Sequence, residues 1–153
     1  MPLGVRKHIA YSLAYSKLRY GITIFGQCSN LWQTKVNSIL KGILRNVCYN
    51  LTSSNLNFFQ MLLMPDFRSL FLETVVLNHN WNDEFKAHHP VSRQLRKVSR
   101  YLVPSCYTRY GKNIRSFYVP HIFNSLPPHF SDITSKKKLK KALRHVYWNE
   151  GDT

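Results

Sequence analysis

The chain has 153 residues, 44% of them hydrophobic and 14% aromatic, enough to bury one core and short for two full domains. Lys and Arg number 22 against 7 Asp and Glu, a net charge of +15 at pH 7 whose self-repulsion a polyanion would relieve, the usual ones being nucleic acids and anionic membrane surfaces. Three widely spaced cysteines, Cys28, Cys48 and Cys106, without a C-x-x-C exclude a disulfide framework and a zinc ribbon, and no apolar run approaches the roughly 20 residues that span a bilayer.

The excess charge sits at the two ends. Residues 1–45 carry seven basic and no acidic residues, residues 46–92 carry two basic and four acidic, and residues 93–153 carry thirteen basic and three acidic. The free thiols fit a reducing compartment, so a cytoplasmic or nuclear location is expected. Lys17 and Arg19 interrupt the apolar run after Arg6 and Lys7, which argues against a signal peptide. The sequon Asn50-Leu51-Thr52 would matter only in a secreted protein.

In chain order, the first predicted element is an amphipathic helix from about Gly4 to Tyr20, with Val5, Ile9 and Leu13 repeating every four residues and a basic flank of Arg6, Lys7, Lys17 and Arg19. Gly21 is expected to end it, and Ile22 to Phe25 to form a short buried turn before Gly26. A second helix is predicted from Asn30, as N-cap with Gln33 three residues on. Its apolar row is Val36, Ile39, Leu40, Ile43, Leu44 and Val47, which leaves Ser38, Lys41 and Arg45 on another face. Two such helices joined by a short link are expected to pack antiparallel with basic residues outside.

Thr52 to Asn55 offer cap residues for a segment with Leu56, Phe59 and Leu63 at helical spacing. Pro65-Asp66 opens a further helix carrying Phe67, Leu70, Phe71 and Val75, all read as packing. Periodicity fails from Asn78 to Pro90, the expected internal boundary. His88-His89 has no Cys or carboxylate at ligand spacing, so neither a metal nor any other cofactor is expected. Tyr101-Leu102-Val103 is a candidate strand that would pair with Ile114–Val119 across a loop around Tyr110-Gly111.

The stretch from Gly111 to Pro128 is the least generic. Ile114, Phe117 and Val119 read as a short strand closed by Pro120, and Ile122, Phe123 and Leu126 then follow at helical spacing, with Asn124 placed to hold the turn. These residues are read mainly as an aromatic-anchored surface hairpin. Finally, Ser135 can cap a helix with Leu139, Ala142, Leu143, Val146 and Tyr147 as apolar stripe, while Lys136, Lys137, Lys138, Lys140, Lys141 and Arg144 crowd its other faces. Such a basic amphipathic helix suits nucleic acid, a membrane surface or an acidic partner. The expected fold is thus mainly α: antiparallel helices, one short β-hairpin near residues 101–119 and a basic C-terminal helix.

The run Tyr11-Ser12-Leu13-Ala14-Tyr15 through Ile22-Thr23-Ile24-Phe25-Gly26 resembles the segment that follows the catalytic palm in reverse transcriptases of LINE-type, jockey-like non-LTR retrotransposons. Later segments resemble that region in the same order: the helix up to Leu44-Arg45, then Leu62-Leu63-Met64-Pro65-Asp66-Phe67, then His88-His89-Pro90-Val91-Ser92-Arg93. The stretch from Tyr110-Gly111-Lys112 to Phe123-Asn124-Ser125-Leu126-Pro127 is similar to the family's "glycine-lysine … tryptophan-asparagine-x-leucine-proline" ending, and Ser135 to Leu143 to its closing lysine-rich helix. Ser92 stands where threonine is usual, and Phe123 where tryptophan is, departures that fit a divergent or decayed copy.

The resemblance implies a C-terminal piece of an RNA-directed DNA polymerase without fingers or palm. Its parts would be a thumb-like helical hairpin over residues 1–50, a helical core segment over 51–82, and a post-thumb segment over 83–153. Polymerase chemistry needs carboxylates holding two metal ions about 3.5–4 Å apart. Of the acids Asp66, Glu73, Asp83, Glu84, Asp132, Glu150 and Asp152, only Asp83-Glu84 are adjacent, in a polar loop, so no enzymatic activity is expected from this chain alone.

What is expected is sequence-tolerant binding of RNA or an RNA/DNA duplex. Lys17, Arg19, Lys35, Lys41 and Arg45 would hold the template-primer backbone, and Lys136, Lys137, Lys140, Lys141 and Arg144 the flanking strand; the other partner would be the parent protein's fingers and palm. The alternative is an inert or protein-binding relic whose apolar faces once packed on that palm. The basic first helix, with no acid before Asp66, is also compatible with an organellar transit peptide.

Overall fold

The computed structural model describes residues 1–49, 57–79, 101–108, 110–133 and 135–149. The fold is mainly helical, as expected, and no β-strand forms among the described residues. The chain divides into two compact units, one of residues 1–74 with 143–153 and one of residues 75–142.

In the first unit, helix α1 (Leu3–Ala10) passes through a π-helical turn (Tyr11–Tyr15) straight into α2 (Ser16–Phe25). Gly21 therefore lies inside a helix and does not end one, and residues 22–25 are helical too. The helix stops at Gly26, whose backbone lies so close to Phe71 that an added Cβ would stand 1.8 Å from the ring. The buried face also differs from the expected one. Val5, Ile9, Leu13 and Tyr20 are exposed, and Ala10, Tyr15 and Ile22 are buried. A wider π turn accommodates one extra residue, so the step from Ala10 to Tyr15 is five residues and the core row is displaced from the regular 3.6-residue repeat.

Helix α3 (Asn30–Val47) begins one residue earlier than expected, with Ser29 and not Asn30 at the N-cap, while the Gln33 amide donates back to the Cys28 carbonyl at 2.9 Å. Leu40, Leu44 and Val47 are buried, Val36 and Ile43 half-buried, and Ile39 exposed. Arg6 lies over the Tyr49 ring, Ile9 and Leu13 line a groove with Ile43 and Val47, and Ile22 and Phe25 line another with Trp32 and Val36. Early residues of the first rod meet late residues of α3, and the reverse, so the two run antiparallel.

A single turn, α4 (Phe58–Met61), is capped by the Asn57 side chain accepting from Phe59 N–H at 3.2 Å, and it ends where Leu63 takes a left-handed φ of 49°. Helix α5 (Phe67–His79) then opens at the predicted place. Asp66 Oδ1 accepts from Ser69 N–H at 2.8 Å, Asn37 Oδ1 from Phe67 N–H at 2.9 Å, and the Tyr15 hydroxyl donates to the Pro65 carbonyl at 2.9 Å. Phe67, Leu70, Phe71 and Val75 are all buried.

The second unit corrects the hairpin. Residues 115–119 lie in helix α6 (Arg115–Ser125), preceded by a 3-10 turn at Gly111–Asn113, and Leu102-Val103 form no strand. Pro120 is inside α6, where an interior proline costs about 3 kcal/mol. Val119, Ile122, Phe123 and Leu126 stand at i, i+3, i+4 and i+7 and are all buried, so the helical row runs through the proline and its burial offsets the cost. Asn124 pairs with the backbone of Tyr101, donating to its carbonyl at 2.9 Å and accepting from its N–H at 3.0 Å, and the Tyr101 and Phe123 rings pack 5.3 Å apart.

Helix α7 (Lys136–Asn149) starts where predicted, with Leu139 N–H bonded to the Ser135 carbonyl and Leu139 and Leu143 buried. The expected boundary at residues 78–90 lies largely outside the described residues, as do the caps at 52–55, the pair His88-His89 and the acids Asp83 and Glu84.

Candidate nucleic-acid interface

Helix α3 presents its predicted basic residues to solvent. Lys35, Lys41 and Arg45 are exposed, with Thr34 and Ser38 exposed beside them, because the opposite arc of the same helix carries Leu40, Leu44 and Val47 into the core. From Lys35 to Arg45 the helix rises about 15 Å, a length that passes about four phosphates of one strand in a duplex. Lys35 Nζ stands 4.5 Å from the Trp32 ring centre, so this cation and an exposed indole share one face. Lys17, on α2, is exposed at the rim of the groove lined by Phe25 and Trp32.

Arg19 and Arg144 are used differently. Arg19 Nη2–H donates to Glu73 Oε1, and Arg144 Nε lies 3.5 Å from Glu73 Oε2; the Glu73 side chain is only 3% exposed, against 28% for Arg19 and 33% for Arg144. One carboxylate inside the apolar helix α5 thus receives guanidinium groups from α2 and α7. A buried carboxylate left without such partners would be strongly unfavourable, so the two arginines are bound to the core by its need for countercharge. Arg19 also lies 5.8 Å from the centre of the Tyr11 ring. Both arginines therefore belong to packing within the first unit, and the exposed cations among the expected residues there are Lys17, Lys35, Lys41 and Arg45.

On α7, Lys136, Lys137 and Lys141 are exposed together with Lys138, and Lys140 is half-buried. The run raises the local positive potential along most of the helix's outer surface.

The role of Glu73 was missed in the sequence although its signal was there: a lone acid between Leu72 and Thr74-Val75-Val76 in a strongly basic chain has to meet cations. Arg6, a flank charge in the sequence pattern, is likewise engaged inside the fold. Its Nε and Nη1 are buried without a hydrogen-bond acceptor, and its guanidinium stacks 4.5 Å from the Tyr49 ring centre. All three cysteines are free, and burial pushes the Cys28 and Cys48 thiols up from their ordinary range, which leaves them poor nucleophiles at neutral pH.

Among the described residues no group of three or more His, Cys, Asp or Glu is placed to hold a metal, and no helix is long and apolar enough to cross a membrane. No family model, curated protein or solved structure matches the chain.

Proposed function

We propose that the chain is a palm-less, C-terminal piece of a LINE-type reverse transcriptase and acts as a sequence-tolerant grip on the backbone of RNA or an RNA/DNA duplex. The observation that carries this reading is the exposed basic face of α3 and α2, with Lys17, Lys35, Lys41 and Arg45 and no carboxylate anywhere in residues 1–65. Exposed cations with no carboxylate near them in sequence are held off one another by solvent and salt, and phosphates replace both favourably by releasing counterions. The ordered motifs from Tyr11 to Leu143 and the antiparallel helix pair support the family reading.

On this reading the thumb-like hairpin is the segment up to residue 50, the exposed lysines of α7 take flanking strand, and catalysis belongs to the fingers and palm of the parent protein. The chain would itself be no enzyme. Free thiols and a nucleic-acid partner favour the cytoplasm or nucleus on this reading. Four phosphate contacts give a slope of roughly −3.5 in log affinity against log salt on a duplex, and a flat salt response removes the reading.

A second reading, a relic that binds protein or nothing, is favoured by one feature. Val5, Ile9 and Leu13 form an apolar row left in solvent, with Leu13 63% exposed, and Ile9 and Leu13 border a groove of about 530 Å³ lined on its other side by Ile43 and Val47. If this face dominates, the protein self-associates in a way that Ile9→Glu with Leu13→Glu abolishes, and it binds no oligonucleotide.

A further inference from the structure

A second groove, of about 490 Å³, runs between α2 and the start of α3. Gly21, Ile22, Val36 and Phe67 line it together with two aromatic side chains, Phe25 and Trp32. Both rings are costly to leave in water, yet Phe25 is 65% and Trp32 57% exposed, and Tyr20 on the same helix is 92% exposed. Gly21 is what lets the Phe25 ring lie along the helix, since a Cβ there would meet that ring at 3.1 Å. A glycine at this interior position costs helix stability of about 1 kcal/mol relative to alanine, so the open groove exists at the expense of the helix.

Two cations adjoin the groove. Lys17 lines it one turn before Gly21, and Lys35, just outside its lining, stands 4.5 Å from the centre of the Trp32 ring. Apolar walls with π-faces, flanked by ammonium groups and no carboxylate, are complementary to one ligand chemistry: a flat aromatic ring carrying a phosphate.

We infer that this groove is a stacking site for an unpaired nucleotide, its base against Trp32 and Phe25 and its phosphates on Lys17 and Lys35. The inference rests on the backbone-gripping reading and adds to it a preference for single strands, because a base still paired inside a duplex cannot offer its face to the indole. Stacking on an aromatic side chain is insensitive to base identity, so the preference is for strandedness and not for sequence.

The test uses the full chain and a labelled oligonucleotide, as a single strand and as a blunt duplex, with binding followed by anisotropy. Trp32→Leu keeps apolar bulk but removes the π-face, whereas Trp32→Phe keeps a π-face. The site predicts that Trp32→Leu weakens single-strand binding about tenfold or more, leaves the duplex unchanged, and is largely rescued in Trp32→Phe. Equal single-strand affinity for wild type and Trp32→Leu, with binding still lost on Lys41→Gln/Arg45→Gln, overturns the stacking site and keeps the grip. Loss on both strand types in Trp32→Leu likewise overturns it. Absence of binding to either oligonucleotide overturns the site and the grip together.

Discussion

Arg19 donates from Nη2 to Oε1 of Glu73, joining α2 to a carboxylate buried in α5, and Arg144 of α7 closes the other side of the same carboxylate at 3.5 Å. Glu73→Leu leaves two guanidinium groups facing each other without their shared anion. Breaking a buried pair by removing one partner costs about 3–5 kcal/mol, and the partial exposure of both arginines puts this case at the low end, about 3 kcal/mol by urea unfolding. An equal loss in Glu73→Leu and in a surface control such as Lys41→Gln would contradict the structural role.

Asn124 is a second such tie. Its amide satisfies both backbone groups of Tyr101 across 23 positions of chain. Asn124→Ala removes both of these part-buried bonds, and the expected cost is about 2 kcal/mol. Asn124→Asp keeps the acceptor, loses the donor, and should fall between wild type and alanine.

Two glycines predict opposite signs. Gly26→Ala drives a methyl into the Phe71 ring and should destabilise by about 1–3 kcal/mol. Gly42→Ala, inside α3 with nothing within 4 Å of the new methyl, should stabilise by about 0.5–1 kcal/mol. Thermal melts of the two variants should lie on either side of wild type.

Burial raises the Tyr15 phenol well above the ordinary 10.0, with the nearby Asp66 charge adding to the effect. The folded state therefore favours the neutral phenol. Its contribution is fully present below the unfolded value near 10 and is lost as pH rises past it toward the raised folded value. Stability should fall in that alkaline window, and Tyr15→Phe should flatten the fall while costing about 1 kcal/mol at neutral pH for the lost bond to Pro65.

Legibility in the sequence followed the regularity of the backbone. Helices α3, α5 and α7 keep an unbroken 3.6-residue repeat, and their buried residues are close to those the pattern marks. In the first rod a π turn displaces the repeat, so the row Val5, Ile9, Leu13 that reads as core is solvent-facing. At Pro120 the repeat continued while the proline suggested a stop; packing of Val119, Ile122 and Phe123 outweighed the local penalty. The basic residues were visible as charges, but which were committed inward depended on Glu73, and tertiary pairing of that kind leaves no periodic trace.

The most direct measurement is the salt dependence of duplex binding in wild type, Lys41→Gln/Arg45→Gln and Arg19→Lys. Removing two phosphate contacts should reduce the magnitude of the log–log slope by roughly 1.8 with little change in melting temperature, whereas Arg19→Lys should lower the melting temperature and leave the slope alone. A wild-type slope near zero, or a slope that responds to Arg19→Lys and ignores the α3 pair, would contradict the grip formed by Lys17, Lys35, Lys41 and Arg45.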